Sequence, residues 1–352
     1  MQRRTIMILL ATALIVMVVL VWFLIQNKAE EVIRLSNGCG IEPSIVPGET
    51  GVKSIVVDGL DREYSLHLPA DYDRNTTTSL VLAFHWYEGD AQRMETATKM
   101  SQHADEHGYV VVYPQSTSFD SGITLITSWN DLSCNVSSGP EGSTCSGGSG
   151  SKLPFPPECG EPRDCVWCTC YDDLAYVEKL LDELEDTLCI DLDRVYATGI
   201  SNGGMFTHRL GCNMADRFAA IAPVAGTLAK GFNCAPGPYA SISLMNIHGS
   251  RDRYVPADGS EGSDGLFFVS VNDVMNAWAG AESQSCDDTE TPYSTSGDGS
   301  REFICTQRDN CATGTEVVSC SWVGDHMSSL TISKTFGNDV VWDFFDKNSK
   351  QR

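Results

Sequence analysis

Short apolar runs alternate with amphipathic helical patterns along most of this chain. Strands buried on both faces of a parallel sheet consist mostly of apolar residues, and five runs fit that description: Leu80–Phe84, Tyr109–Tyr113, Val195–Thr198, Phe218–Val224 and Ile242–Ile247. Strands and helices that alternate at this spacing are joined by right-handed crossovers. The pattern therefore predicts an α/β fold, with a mostly parallel central sheet and helices on both faces.

The clearest helical pattern covers Tyr171–Leu188. Its apolar residues form one stripe at helical spacing and its acidic residues lie on the other face, which is typical of a helix packed on a core. Further helices are predicted at 91–106, Met205–Met214, Phe267–Trp278 and Asp339–Phe345. Paired strands are predicted at Val52–Val57 with Tyr64–Leu68, around a turn at Gly59-Leu60-Asp61, and at Arg301–Thr306 with Thr315–Trp322.

Residues 117–170 interrupt this alternation. They are rich in Gly, Ser, Pro and Cys and show almost no periodicity. Long irregular segments inside a domain are usually functional or inserted. We expect a cysteine-rich insertion near the functional site, within a catalytic domain at 51–346. Residues 1–28 are expected to be a tail with an anchor or signal peptide, 29–50 a linker and 347–352 a tail.

The N-terminal segment predicts export. Ile6–Ile25 is apolar apart from Thr12 and is long enough to cross a bilayer as a helix. Arg3 and Arg4 precede it, which predicts a cytoplasmic tail and an external main domain. A cleaved signal peptide is the alternative. We expect a secreted or membrane-anchored, extracellular-facing protein with N-glycosylation sequons at Asn75 and Asn135.

Charge and cysteine content narrow the function classes. The 352 residues carry a formal net charge of −23, which argues against binding nucleic acid because phosphates would repel the surface. The 14 cysteines form no zinc pattern, since Cys165-x-x-Cys168-x-Cys170 has no second pair at finger spacing. We therefore expect disulfides in an oxidising compartment, with no metal and no organic cofactor.

The segment after Val195–Thr198 carries the candidate chemistry. A Gly-x-Ser-x-Gly motif at Gly199, Ser201 and Gly203 lies between this strand and the helix Met205–Met214. Strand, tight turn and helix is the context of a nucleophile elbow, in which the serine hydroxyl projects above the sheet. An incidental serine in a glycine-rich loop is the alternative.

A serine nucleophile needs a base and an acid that orients it, and in this context they follow it in the order acid, then histidine. Asp252 follows the strand Ile242–Ile247, and His326 follows the last predicted strand. Both also have ordinary interpretations, because Asp252 could pair with a neighbouring arginine and His326 could be a solvated loop histidine.

Two backbone amides are expected to form the oxyanion hole. Asn202 supplies one at the start of the helix, and the loop after Phe84 supplies the other, from Tyr87 or Trp86. The aromatic side chains of Trp86 and Tyr87 are candidates for substrate binding, with simple core packing as the alternative.

These residues resemble the feruloyl esterase and polyhydroxybutyrate depolymerase family of α/β-hydrolases, similar to carbohydrate esterase family 1. The matching stretches are Asp172–Met205, Asp216–Gly226, His248–Pro256, Gly38–Gly40 and Phe84–Trp86, within 37–346 and outside 117–170. The resemblance implies Ser201 as nucleophile, His326 as base and Asp252 as orienting acid. Relatives often carry Gly-Gly-Gly-His-x-Trp-Pro where this chain has Val323-Gly324-Asp325-His326-Met327-Ser328, a departure in the histidine loop.

Placement along the chain also suggests disulfides, although other pairings stay open. The predicted pairs are Cys39 with Cys189, Cys212 with Cys234, Cys286 with Cys311, and Cys305 with Cys320. The six cysteines within 134–170 are expected to pair among themselves.

The sequence thus predicts a serine carboxylesterase that acts outside the cell on an ester-bearing polymer or a small ester. Feruloyl or acetyl esters of polysaccharide are the first expectation. A polyhydroxybutyrate depolymerase is the alternative, followed by a non-catalytic surface-binding module and a peptidase of the same fold.

Overall fold

The structure, a computed structural model, describes residues 33–131, 137–146, 154–160, 164–232, 234–237, 242–293, 303–312, 314–326 and 337–350. The predicted anchor at Ile6–Ile25 and the sequon at Asn135 lie outside these residues. Within them, no helix has the length and apolar character needed to span a membrane.

Twelve strands occur in the described residues. In chain order they are β1 Thr50–Val57, β2 Leu60–His67, β3 Thr78–Phe84, β4 Tyr109–Pro114, β5 Ser118–Asp120, β6 Leu125–Thr127, β7 Ile190–Ile200, β8 Ala220–Val224, β9 Ser243–Gly249, β10 Glu290–Pro292, β11 Ile304–Arg308 and β12 Val317–Trp322. Six helices accompany them: α1 Ala91–Thr98, α2 Met100–His107, α3 Asp173–Thr187, α4 Asn202–Asn213, α5 Val271–Ala279 and α6 Asn338–Lys347.

Ten of these strands form one sheet in the order β1-β2-β4-β3-β7-β8-β9-β12-β11-β10, and β5 pairs with β6 alone. The six strands from β4 to β12 run parallel to one another, whereas two strands at each edge are antiparallel. The chain therefore has the predicted mixed α/β fold with a large central sheet.

The central strands are apolar because both of their faces are covered. Leu80, Leu82 and Phe84 of β3 pack into the core cluster that holds residues of α3, α4 and α5. Val81 and Ala83 point the other way, into the cluster that holds residues of α1, α2 and α6. Successive side chains of a strand face opposite sides of its sheet, so continuous apolar sequence supplies two cores.

The predicted helix at 91–106 is two helices. Lys99 lies between α1 and α2 in the left-handed region, with φ 57°, and its N–H bonds to the Glu95 carbonyl. The predicted helix at Phe267–Trp278 also begins later, at Val271, because the Ser270 hydroxyl accepts the N–H of Asp273 as an N-cap.

The first hairpin turns one residue earlier than its sequence suggests. Asp58 and Gly59 both have positive φ, 51° and 82°, as a two-residue hairpin turn of primed type requires. Leu60 and Asp61, which were expected in the turn, already belong to β2.

One part of the expected insertion belongs to the domain core. Trp129 is fully buried. Its ring stacks on Phe206 of α4 at 5.2 Å and meets Phe84 of β3 edge-on at 5.1 Å. The irregular sequence around Trp129 hid this contribution, because one aromatic residue produces no periodic pattern.

All four disulfide pairs predicted by placement are confirmed. In the segment 134–170, Cys145 bonds to Cys165 and Cys159 bonds to Cys170, while Cys168 is also disulfide-bonded. No described cysteine is free. So many bridges suit a protein of an oxidising, extracellular environment.

Candidate active site

Ser201 lies at the turn between β7 and α4. Its φ of 58° and ψ of −119° place a non-glycine residue in a strained backbone conformation. The Ser201 N–H bonds to the Val224 carbonyl at 2.9 Å, which fixes the turn against β8. The predicted strand, turn and helix are therefore present, and the strain falls on the serine of the motif.

The flanking glycines are needed because the backbone crowds around them. A Cβ at Gly199 would lie 2.4 Å from the Gly203 carbonyl oxygen. A Cβ at Gly203 would lie 2.3 Å from the Phe84 carbonyl oxygen. Neither distance is possible without moving backbone, so the elbow excludes side chains at both positions.

The structure brings Ser201, His326 and Asp252 together. The Ser201 Oγ lies 2.8 Å from His326 Nε2, and His326 Nδ1 lies 2.6 Å from Asp252 Oδ2. A carboxylate accepts the Nδ1–H, which leaves the Nε2 lone pair to accept the serine proton. This is the arrangement expected of a serine nucleophile, its base and an orienting acid, and those three roles stay predictions.

Both carboxylate oxygens of Asp252 accept hydrogen bonds. Its Oδ1 accepts the N–H groups of Tyr254 and Val255 at 2.9 Å each, while its Oδ2 faces His326. The side chain is fully buried, so its hydrogen bonds are exchanged little with water. In this geometry the Asp252 side chain bonds to His326 and to two backbone amides.

His248, the other histidine well after the elbow, has a different role. It is buried at the end of β9, and its Nε2–H donates to the Val255 carbonyl at 2.7 Å. Burial lowers its pKa from the usual value. It therefore supports the loop that carries Asp252.

The predicted oxyanion residues lie in the same cleft as Ser201. Asn202 begins α4, where the first N–H groups lack partners inside the helix. Trp86 and Tyr87 follow β3 and line the cleft beside Ser201. Their roles as oxyanion donors and substrate contacts stay predictions.

The Asn202 side chain has a role that the sequence did not indicate. Its Oδ1 accepts the Trp129 N–H at 2.7 Å, and its Nδ2 donates to the Trp129 carbonyl at 3.1 Å. Trp129 Nε1 in turn donates to the His85 carbonyl at 2.9 Å. These bonds tie the start of α4 to the loop after β3, across the expected insertion.

His85, which belongs to the stretch Phe84–Trp86 that resembles the esterase family, shapes the same loop. Its Nδ1–H donates to the Trp86 carbonyl at 2.8 Å, and its Nε2 accepts the Ser116 N–H at 3.2 Å. Complete burial lowers its pKa to about 4, so it stays neutral and keeps both bonds near neutral pH.

A cleft of about 700 Å³ opens at Ser201 and His326. Its walls are mainly aromatic and aliphatic, with residues Trp86, Tyr87, Leu125, Trp167, Met205, Tyr254, Leu266 and Phe268. Glu88, Arg93 and Asp264 add charged groups. Burial raises the pKa of the Asp264 carboxyl.

Trp167 was not predicted as a site residue. It lies between Cys165 and Cys168, both disulfide-bonded, and its ring faces Phe268 at 6.4 Å. An aromatic residue flanked by cysteines in a segment without periodicity was the only sequence signal. The expected insertion therefore supplies part of the cleft wall.

No family model matches this chain. The probable feruloyl esterase C of Aspergillus clavatus is 25% identical over 312 residues, which cover 88% of this chain and 90% of that protein. Feruloyl esterase C of Emericella nidulans is 24% identical over 312 residues, with the same coverage.

Among solved structures, the acetyl xylan esterase from Aspergillus awamori matches with a TM-score of 0.51 at 14% identity, over 84% of this chain and 99% of that one. At this identity the likeness shows the fold. The resemblance to feruloyl esterases stated from the sequence is confirmed by the curated relatives, and so is the enzyme class of carboxylic ester hydrolase.

Proposed function

We propose that this protein is a serine esterase that hydrolyses feruloyl or acetyl esters of polysaccharide outside the cell. The observation that carries the proposal is the chain of two hydrogen bonds, 2.8 Å and 2.6 Å long, from Ser201 through His326 to Asp252.

In the acylation step, His326 Nε2 takes the Ser201 proton as the Oγ attacks the ester carbonyl. The negative oxygen of the tetrahedral intermediate would be stabilised by the amides of Asn202 and Tyr87 or Trp86. His326 then returns the proton to the leaving alcohol, and the acyl group stays on Ser201.

In the deacylation step, His326 takes a proton from water, which attacks the acyl-enzyme and releases the acid. Asp252 keeps its charge throughout and stabilises the imidazolium that forms twice in each cycle. None of these steps requires a metal or an organic cofactor.

The cleft supports an aromatic acyl group. Trp86, Tyr87 and Trp167 line it together with Phe268, and such rings favour flat apolar groups in offset or edge contacts. The names of the curated relatives point to feruloyl esters. A relative from Neocallimastix patriciarum named as a bifunctional acetylxylan esterase/xylanase makes acetyl esters the second expectation.

The test is a comparison of initial rates on methyl ferulate, acetylated xylan and a polyhydroxybutyrate film. We expect the highest kcat/KM on methyl ferulate and no release of monomer from the film. Preference for the film would replace the proposal with a polyester depolymerase. Absence of turnover and of labelling by a fluorophosphonate probe would favour the non-catalytic module.

The base is tested separately. His326→Ala should lower turnover by about 10³-fold or more, because it removes the proposed base. The variant should still fold, because His326 lies in a loop and not in the packed core. A small effect would mean that another group serves as the base. Ser201→Ala should abolish fluorophosphonate labelling.

The disulfides support the extracellular part of the proposal. Anchoring to a membrane rests on the apolar sequence Ile6–Ile25 alone. Expression of the complete chain followed by alkaline carbonate extraction tests it. An anchored protein stays in the membrane fraction until detergent is added, whereas a cleaved one appears in the medium.

A further inference from the structure

A second cluster of polar side chains lies where α2 meets α6. His103 and His107 occupy positions i and i+4 of α2, and Asp339 lies in the first turn of α6. One ligand atom from each of the three residues lies within 4.8 Å of the others. Neither the hydrolysis mechanism nor the family resemblance uses these residues.

The donor atoms are of the kind that binds zinc and its neighbours. His103 Nε2 lies 3.1 Å from Asp339 Oδ1, and the His107 ring stacks on the His103 ring at 4.1 Å. Two imidazoles and one carboxylate, with a water in the fourth position, make a common Zn²⁺ donor set. Mg²⁺ and Ca²⁺ prefer sites made of oxygen atoms alone.

A hydrogen bond to Tyr109 orients the His103 ring. Its Nδ1 lies 3.0 Å from the hydroxyl of Tyr109, a fully buried residue whose ring stacks on Trp342 at 4.2 Å. When Nδ1–H donates to this oxygen, the Nε2 lone pair faces the Asp339 carboxylate. A metal ion at Nε2 would replace the proton that otherwise joins His103 to Asp339 at 3.1 Å. Metal-bound histidines usually have a partner such as Tyr109 on the other nitrogen.

The cluster is also accessible. His107 is exposed and the Asp339 side chain is 47% exposed, while His103 is buried. A metal ion could therefore enter from solvent and keep a bound water. The buried histidine and its fixed partner would limit the rearrangement needed on binding.

We propose that His103, His107 and Asp339 form a binding site for a divalent transition ion of the Zn²⁺ class. The ion is held by His103 Nε2, one nitrogen of His107 and a carboxylate oxygen of Asp339. It links α2 to α6, which are 236 residues apart at His103 and Asp339, and thereby stabilises the folded state.

The test uses the complete chain without a polyhistidine tag, after treatment with a chelator. Titration with ZnCl₂ by calorimetry should show one saturable site, and Zn²⁺ should raise Tm. MgCl₂ at the same concentrations should do neither. Cu²⁺ should quench part of the tryptophan fluorescence, because the Trp342 ring lies 6.2 Å from His107.

Matched variants locate the site. Asp339→Asn and His107→Ala should each weaken Zn²⁺ binding by about tenfold or more, because the first replaces an anionic ligand by a neutral one and the second removes an imidazole. Glu106→Gln removes the same charge as Asp339→Asn from an exposed neighbour on α2, and it should lower the affinity far less, because Glu106 is outside the group of ligand atoms. The proposal is overturned by the absence of a saturable site, or by equal affinities in all three variants.

Discussion

Asp252 shows how much one hydrogen-bonded carboxylate contributes to the proposed mechanism. Its Oδ2 accepts the His326 Nδ1–H, and its Oδ1 accepts two backbone N–H groups. The two backbone bonds hold the carboxylate in place, so that the third bond can fix the tautomer of the histidine. In the proposed mechanism the acid therefore acts on the reaction through the position and charge of His326.

We expect Asp252→Asn to lower kcat by about 10³- to 10⁴-fold with little change in KM, since the amide favours the wrong tautomer of His326. Steady-state kinetics on methyl ferulate measure the effect. Asp258→Asn is the control, because Asp258 lies exposed in the same loop and bonds to Ser260 nearby. If both variants keep full activity, Asp252 is not the orienting acid.

Buried neutral histidines make stability depend on pH. Burial lowers the pKa of His85 and of His208 from 6.5 to about 4. Below pH 6.5 the unfolded chain takes up protons that the folded protein does not, so stability falls as the pH falls toward 4. The full contribution is present above pH 6.5.

Between pH 7 and pH 5, each such histidine should lower the free energy of unfolding by about 2 kcal/mol. The decrease is about 1.4 kcal/mol for each pH unit below the usual pKa of histidine. Chemical denaturation at both pH values gives the loss. Glutamine does not titrate, so the His208→Gln variant should lose less stability between pH 7 and pH 5 than the native protein. The difference should equal the contribution of one histidine. An identical loss in the variant and the native protein would contradict the assignment.

At the scale of the elements, the backbone is crowded at the elbow between β7 and α4. The carbonyls of Phe84 and His85 approach Gly203 so closely that no Cβ fits. Phe84 ends β3, and His85 begins the loop that carries the predicted oxyanion donors Trp86 and Tyr87. Close packing of the two backbones thus couples the nucleophile to its expected oxyanion hole.

Gly203→Ala should therefore separate this loop from α4. We expect overpacking to lower the free energy of unfolding by about 1–3 kcal/mol or more. We also expect kcat to fall by a larger factor than the fraction of folded protein. Thermal denaturation and kinetics on the same preparations measure both. Gly237→Ala, at an exposed position with open space around it, should change neither, and a neutral Gly203→Ala would refute the coupling.

The elements that the sequence predicted correctly are those in which many buried residues recur at regular spacing. The apolar strands β3, β7 and β9 and the stripe of α3 were predicted because each places many residues in one core. The break at Lys99 and the contribution of Trp129 were missed, because each depends on a single residue and its distant contacts. The candidate triad could be predicted because the Gly-x-Ser-x-Gly motif is a local signal and the order of serine, acid and histidine can be read along the chain.

At the scale of the whole molecule, the disulfide bonds close loops of very different length. Cys39–Cys189 joins the entry of the chain to the start of β7 across 150 residues, whereas Cys305–Cys320 joins directly opposed residues of β11 and β12 across 15 residues. A bridge stabilises mainly by restricting the unfolded chain, and the restriction grows with the length of the closed loop.

Removing the long bridge should therefore cost more. For Cys39→Ser with Cys189→Ser we expect a loss of about 5 kcal/mol, and for Cys305→Ser with Cys320→Ser about 3 kcal/mol. Denaturant titrations of the two double variants and the native protein give both values under one condition. A larger loss for the hairpin pair would mean that native packing at β11 and β12, rather than the entropy of the unfolded chain, determines what these bridges contribute.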